Sequence, residues 1–180
     1  MYKTVLCFLL FPLLGATKAS AGEPLPGPVV EGYGPVFKLP ADSYNLDPTQ
    51  HYRVVMDVGK GPDDPAELNR GIESAARFLN AHARHGMDPG QMELAVVLHG
   101  VAARAALTEQ AHARYFKVSN GSKGLIEALG KAGVPVYLCG QTAAYYGYAV
   151  DDLLPEVTLA VSAMTVHVRL QQEGYQAILF

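Results

Sequence analysis

The chain has 180 residues, 49% hydrophobic and 17% charged, with a formal charge of −3 at neutral pH. That length fits one domain with a sizeable core. The acidic balance argues against a nucleic-acid partner, whose phosphates demand a basic face.

Lys3 precedes an apolar run from Val5 to Gly15, which leads into the small residues Ala19-Ser20-Ala21. This is the order of a secretory signal peptide, and the run is shorter than the roughly 20 residues a membrane-spanning helix needs. The expectation is a signal over residues 1–21, cleaved after Ala21. The mature chain is then periplasmic or otherwise secreted, with no membrane attachment. Cleavage removes Lys3, Lys18 and Cys7 but no acid, so the mature chain is more acidic and keeps one thiol, Cys139. A single thiol forms no internal disulfide, although the compartment favours them.

Residues 22–50 hold six prolines, Pro24, Pro26, Pro28, Pro35, Pro40 and Pro48, with glycines between them and no sustained period. They read as an extended Pro/Gly-rich arm and not as a second domain. Its apolar residues Val29, Val30, Tyr33, Val36 and Phe37 have three possible fates: lying across the domain, lying across a neighbouring subunit, or belonging to an unpacked linker.

From residue 51 the pattern becomes regular and defines one domain over 51–180. Tyr52 to Val58 is a short apolar run ending in Gly59-Lys60-Gly61-Pro62, a buried strand and a turn. Leu68, Ile72, Ala75, Leu79 and Ala83 stand at helical spacing within 64–84, with acids near the start and Arg84, His85 and Gly86 at the close. Met92 to Leu98 is a second strand, followed by helices over 101–115 and 122–132. Val134 to Leu138 is a third strand, followed by a helix from Gln141 to Tyr148 and a helical turn from Asp151 to Leu154. Val157 to Val161 is a fourth strand, Ala163 to Glu173 a helix, and Tyr175 to Phe180 a terminal strand. Apolar strands alternating with helices predict a parallel sheet covered on both faces.

In such sheets ligands gather beyond the carboxyl ends of the strands. The second strand ends in His99-Gly100, the third in Cys139-Gly140-Gln141-Thr142, and the fourth in Ser162-Ala163-Met164-Thr165. Cys139 faces the start of the helix near Gln141, where backbone N–H groups and the helix dipole favour thiolate over thiol. Gly140 permits a tight turn and leaves room for a substrate atom. His99 is a candidate base or hydrogen-bond donor. Gly140, Gln141, Thr142 and Ser162 are candidate substrate-binding residues, and Ser162 is a helix cap before it is a catalyst. The alternatives are a buried structural cysteine and a histidine packed at a strand end. Tyr145, Tyr146 and Tyr148 read as packing or subunit contact. His82 and His85 are either a surface metal pair or helix caps. No cysteine or histidine pair has metal-ligand spacing across a loop, and no phosphate loop or dinucleotide fingerprint is present. No metal and no cofactor is implied.

Val96-Val97-Leu98-His99-Gly100, Leu125-Ile126-Glu127-Ala128-Leu129 with Ala132-Gly133-Val134, Tyr137-Leu138-Cys139-Gly140-Gln141, Asp152-Leu153-Leu154-Pro155 and Ser162-Ala163-Met164-Thr165 are, in order and spacing, the strings of a family. From about Tyr52 onward the chain resembles exported members of the DsrE/DsrF-like sulfur-relay family. The resemblance implies a three-layer α/β/α sandwich around a five-stranded parallel sheet, in homo-oligomers built on trimers. It also implies that the cysteine matching Cys139 carries sulfur as a persulfide and hands it to a partner protein, and that His99 matches a recurring histidine.

The expected function is therefore a periplasmic sulfur carrier, with Cys139 as nucleophile, His99 assisting proton movement, and a sulfur protein or small sulfur anion as donor and acceptor. Two alternatives stand beside it. One is a non-catalytic binding or structural oligomer with a small-anion pocket at the sheet rim. The other is a thiol-redox protein, which here lacks the second cysteine of a C-x-x-C pair.

Overall fold

The computed structural model describes residues 22–40, 46–47 and 49–179. The expected signal peptide over residues 1–21, part of the proline-rich segment, and Phe180 of the expected terminal strand lie outside the described residues. No helix among the described residues is long and apolar enough to cross a membrane.

Five strands, β1 (Tyr52–Val58), β2 (Met92–Leu98), β3 (Val136–Cys139), β4 (Val157–Ala160) and β5 (Gln176–Leu179), form one sheet in the order β4-β3-β2-β1-β5. Every pairing is parallel. The helices are α1 (Arg70–Arg84), α2 (Glu109–Phe116), α3 (Lys123–Lys131), α4 (Gly140–Tyr146) and α5 (Ala163–Gln172). The chain steps outward from β1 to β4 and then returns across the sheet through α5 to reach β5 at the opposite edge. Crossovers of one hand therefore put α5 on the face opposite α1 and α3.

Strand alternation divides the core accordingly. Val54, Met56, Val58, Leu94, Val96, Leu98, Val136 and Leu138 pack with Ile72, Leu79, Leu125, Ile126 and Leu129 in the larger cluster. Val55, Ala95 and Val97 face the other way, against Val166 and Leu170 of α5. This is the three-layer α/β/α sandwich, with one helix forming the third layer.

Several elements are shorter than their hydrophobic period suggests, and capping chemistry explains why. The 64–84 helix begins only at Arg70, because the Asn69 side chain accepts from the N–H groups of Gly71 and Ile72 at 2.9 and 3.2 Å and caps it there. Upstream, the Asp64 carboxylate accepts from Ala66 N–H at 2.9 Å and holds a turn instead. The 101–115 helix is two pieces, a 3₁₀ stretch over Gly100–Ala106 and α2. Leu107 breaks them by bridging Leu153, and Thr108 caps the second piece. The third strand starts at Val136, after Pro135, which has no N–H to donate to a neighbouring strand.

Over residues 22–40 the proline-rich segment folds back on itself and is not extended. Leu25 and Val36 exchange backbone hydrogen bonds at 2.8 and 3.1 Å, closing a loop that docks on α1 of the same chain. Fully buried Asn80 organises it: its Oδ1 accepts from Val29 and Val30 N–H, and its Nδ2 donates to the carbonyls of Val30, Tyr33 and Gly34. Buried Glu73 accepts from Gly34 N–H at 3.2 Å and pairs with Arg70 and Arg77 at 2.7 and 3.2 Å.

Candidate functional site

The connection after β3 runs to α4 on one face of the sheet, and the connection after β4 runs to α5 on the other. The crevice between those two strand ends is the topological switch point, where open parallel sheets bind ligands. Cys139 is the last residue of β3, opposite Ala160 of β4, and stands in that crevice.

Cys139 is largely buried, at 7% exposure. Burial pushes the thiol pKa up, but the Thr142 hydroxyl and the N–H groups of Ala163, Thr142 and Gln141 all direct hydrogen bonds to it, and the net result is a pKa lowered from the ordinary thiol value. Those N–H groups come from the starts of both α4 and α5, so two helices on opposite faces serve one atom. The Thr142 hydroxyl also accepts from Gly100 N–H at 3.4 Å, which ties the β2 loop to the cysteine. Thr142→Val keeps the shape of this side chain but removes its donor. It is expected to move the pH midpoint of Cys139 alkylation upward and to slow alkylation several-fold at neutral pH. An unchanged profile would remove Thr142 from the account.

A cavity of about 420 Å³ opens at this crevice, lined by Cys139, Gln141, Thr142 and Ser162 together with Asp57, His99 and His167. His99 Nε2 lies 3.0 Å from one carboxylate oxygen of Asp57, and His167 Nε2 lies 2.6 Å from the other. Burial raises the Asp57 carboxyl, yet hydrogen bonds from the two imidazoles outweigh it and hold the group below its usual range. An ionised carboxylate only accepts, so both rings donate from Nε2. The His99 ring lies against Gly59, where an added Cβ would stand 2.5 Å from its Cε1.

Five of the six residues singled out from the sequence line this cavity: Cys139, His99, Gln141, Thr142 and Ser162. Gly140 does not. The space over its Cα is taken by the Ala160 carbonyl, 2.4 Å from where a Cβ would sit, so its missing side chain serves close packing of β4 and not a substrate. Ser162 caps α5, accepting from Thr165 N–H at 3.1 Å. Gln141 reaches Val161 O at 3.4 Å.

Sequence reasoning missed Asp57 and His167. An acid breaking an otherwise apolar strand beside its Gly-rich turn was the available signal for Asp57; His167 had none, being one polar position on a helix. Elsewhere, His82 and His85 each place Nδ1 against the carbonyl four residues before, at 2.7 and 2.6 Å, as helix-end hydrogen bonds. Among the described residues no group of three or more His, Cys, Asp or Glu side chains has the arrangement of a metal site. Tyr148 packs between Tyr115 and Tyr146, at centroid distances of 5.0 and 5.5 Å.

A five-stranded parallel sheet with a hydrogen-bonded thiol at its switch point places the chain among α/β proteins that offer a ligand crevice at the strand rim. The chain belongs to the DsrE/DsrF-like family, whose sequence profile matches residues 53–180. Among solved structures, it is similar to MTH1491 from Methanobacterium thermoautotrophicum, described as a protein of unknown function. The identity is 25% over 72% of this chain and 99% of that one, with a TM-score of 0.53. It also shares its fold with the ychN protein from E. coli, at 18% identity over 72% and 99% of the two chains, with a TM-score of 0.53. No curated protein matches the chain.

Proposed function

We propose that this protein is an exported sulfur carrier: Cys139, as thiolate, takes a sulfane sulfur from a donor, holds it as a persulfide and passes it to an acceptor. The observation that carries this reading is the set of four hydrogen bonds converging on the Cys139 sulfur from two helix starts and the Thr142 hydroxyl. They favour the nucleophilic form before transfer, and equally the terminal anion of a persulfide afterwards. Membership of the DsrE/DsrF-like family supports sulfur relay as the general chemistry. With thiosulfate as donor, the thiolate attacks the outer sulfur, a new S–S bond forms on Cys139, and the old S–S bond breaks to release sulfite with its electron pair. The apolar run from Val5 to Gly15 and the Ala19-Ser20-Ala21 triplet support export to the periplasm.

The third layer supplies a reason for self-association. Val161, Met164, Val168 and Leu179 are exposed large apolar residues around the cavity side of the sheet. A further copy of the chain, in a trimer-based homo-oligomer, would cover them.

Native and denaturing intact-mass measurements on the full chain, after incubation with thiosulfate, polysulfide or a hydropersulfide, test these points together. The expected result is a gain of about 32 Da that cyanide or a thiol removes and that Cys139→Ser lacks, carried on an oligomeric species. No gain from thiosulfate, polysulfide or a hydropersulfide, under conditions where Cys139 alkylates readily, would overturn the carrier. It would favour the second reading, in which the converging N–H donors hold a small anion without turnover.

A further inference from the structure

The charges around the cavity select among sulfur donors, and this inference rests on the sulfur-carrier reading. Among the described residues no lysine or arginine lines the cavity; its titratable members are Asp57, Cys139, His99 and His167. The nearby arginines are committed elsewhere. Arg169 donates to the Tyr137 hydroxyl at 3.0 Å and pairs with Glu173 at 3.8 Å, and Arg104 donates to the Pro62 carbonyl.

The two imidazoles do not supply the missing cation in their neutral form. Each spends its Nε2–H on Asp57, at 3.0 Å for His99 and 2.6 Å for His167, and so leaves Nδ1 as a lone pair. Neither Nδ1 has a hydrogen-bond partner among the described residues. Asp57 and a Cys139 thiolate add two negative charges to the same small volume. Apart from the donors already used by the sulfur, the lining is therefore rich in acceptors. A sulfonate end, with three oxygens and only lone pairs, finds repulsion there. A donor carrying an S–H finds an acceptor.

We propose that the Cys139 cavity takes a hydropersulfide, R–S–S–H, with an uncharged organic group, and discriminates against dianionic donors such as thiosulfate through Asp57 and the absence of a lining cation. The thiolate attacks the outer sulfur. A bond forms between that sulfur and Cys139 Sγ, and the donor S–S bond breaks, its electron pair leaving on R–S⁻. The S–H proton passes by way of an imidazole Nδ1 to R–S⁻. The products are the Cys139 persulfide anion and R–S–H. Charge and electrons balance with no further oxidant or reductant, because the sulfane sulfur moves at constant oxidation state. Asp57 acts here as a positioning residue, holding both imidazoles with Nδ1 free.

The test keeps the transferred group constant, changes the charge of the organic part, and corrects for intrinsic donor reactivity. The full chain is offered 2-hydroxyethyl hydropersulfide or the hydropersulfide of mercaptosuccinate, which carries two carboxylates, and the rate of sulfur gain on Cys139 is read by intact mass. Each rate is divided by that of a small free thiol with the same donor. Gln171, an exposed residue at the cavity edge on α5, provides a variant that adds a positive charge, Gln171→Lys. The uncharged donor is expected to load the protein about tenfold faster or more, and Gln171→Lys to reduce that preference several-fold and to speed loading from thiosulfate. Loading at equal or greater relative rate from the dicarboxylate donor or from thiosulfate would overturn the proposal and leave the sulfur carrier standing. A preference that Gln171→Lys does not alter would likewise overturn it. No loading from any donor, with Cys139 still open to alkylation, would overturn the carrier and this selectivity together.

Discussion

Asn80→Ala is expected to destabilise the protein by about 3 kcal/mol or more while leaving the reactivity of Cys139 unchanged. Asn80 is fully buried and makes five hydrogen bonds to the 29–34 loop, satisfying two N–H donors and three carbonyls that β-sheet or helix would otherwise satisfy. Alanine leaves those backbone groups without partners beneath a loop that buries Val30 and Val36. Gly27 lies directly over the amide, so the loop has no side chain of its own to fill the gap. Denaturant titration reads the loss, and limited proteolysis within residues 22–40 shows where it falls. Cys139 alkylation serves as the internal control, because α1 and its loop sit on the face of the sheet opposite α5. A loss below about 1 kcal/mol would mean that water replaces the amide and that the loop contributes little.

The second large effect is expected at Gly140. A Cβ there would stand 2.4 Å from the Ala160 carbonyl and 3.2 Å from that of Val161, both backbone atoms that no rotamer change can move. Gly140→Ala therefore has to push the end of β4 away from β3, at about 2–4 kcal/mol. The chain passes from Ala160 into α5, so the Ala163 N–H that serves the Cys139 sulfur moves with it. Thiol alkylation at neutral pH is expected to slow several-fold, with its pH midpoint shifted upward. Gly147→Ala provides the comparison. Gly147 ends α4 with φ of 74° and nothing within 4 Å of an added Cβ, so it is expected to lose only about 1 kcal/mol and to keep its thiol reactivity. Equal reactivity in the two variants would detach the β4–α5 turn from the chemistry of the thiol.

These contrasts also show what could be read along the chain and what could not. Met92 to Leu98 is a strand in the sequence because six of its seven residues are apolar, and it is buried on both faces in the structure. Cys139 could be placed at a strand end, and Ser162 at a helix start, from local pattern alone. The start of α1 at Arg70 could not, since Asp64 and Asn69 are both good caps, and the hydrogen bond of Asp64 closes a turn while those of Asn69 open the helix. The least legible feature is Asp57 between two histidines, one 42 and the other 110 residues away. Nothing local marks such a partnership. It arises because β1 is an interior strand while α5 returns across the sheet, and the strand order β4-β3-β2-β1-β5 brings the three side chains together. Asn80 was hidden for the opposite reason: its partners are backbone groups, which leave no trace in residue identity.

That return of α5 also sets the order in which the protein acquires its chemistry during synthesis. β1 to β4 and the helices between them contain the cysteine, but the Ala163 donor and His167 come from α5, which follows them along the chain. A nascent chain paused before α5 carries a thiol whose sulfur lacks one of its four hydrogen bonds and an Asp57 that lacks one of its two imidazoles. Maturation of the thiol therefore waits on the docking of α5.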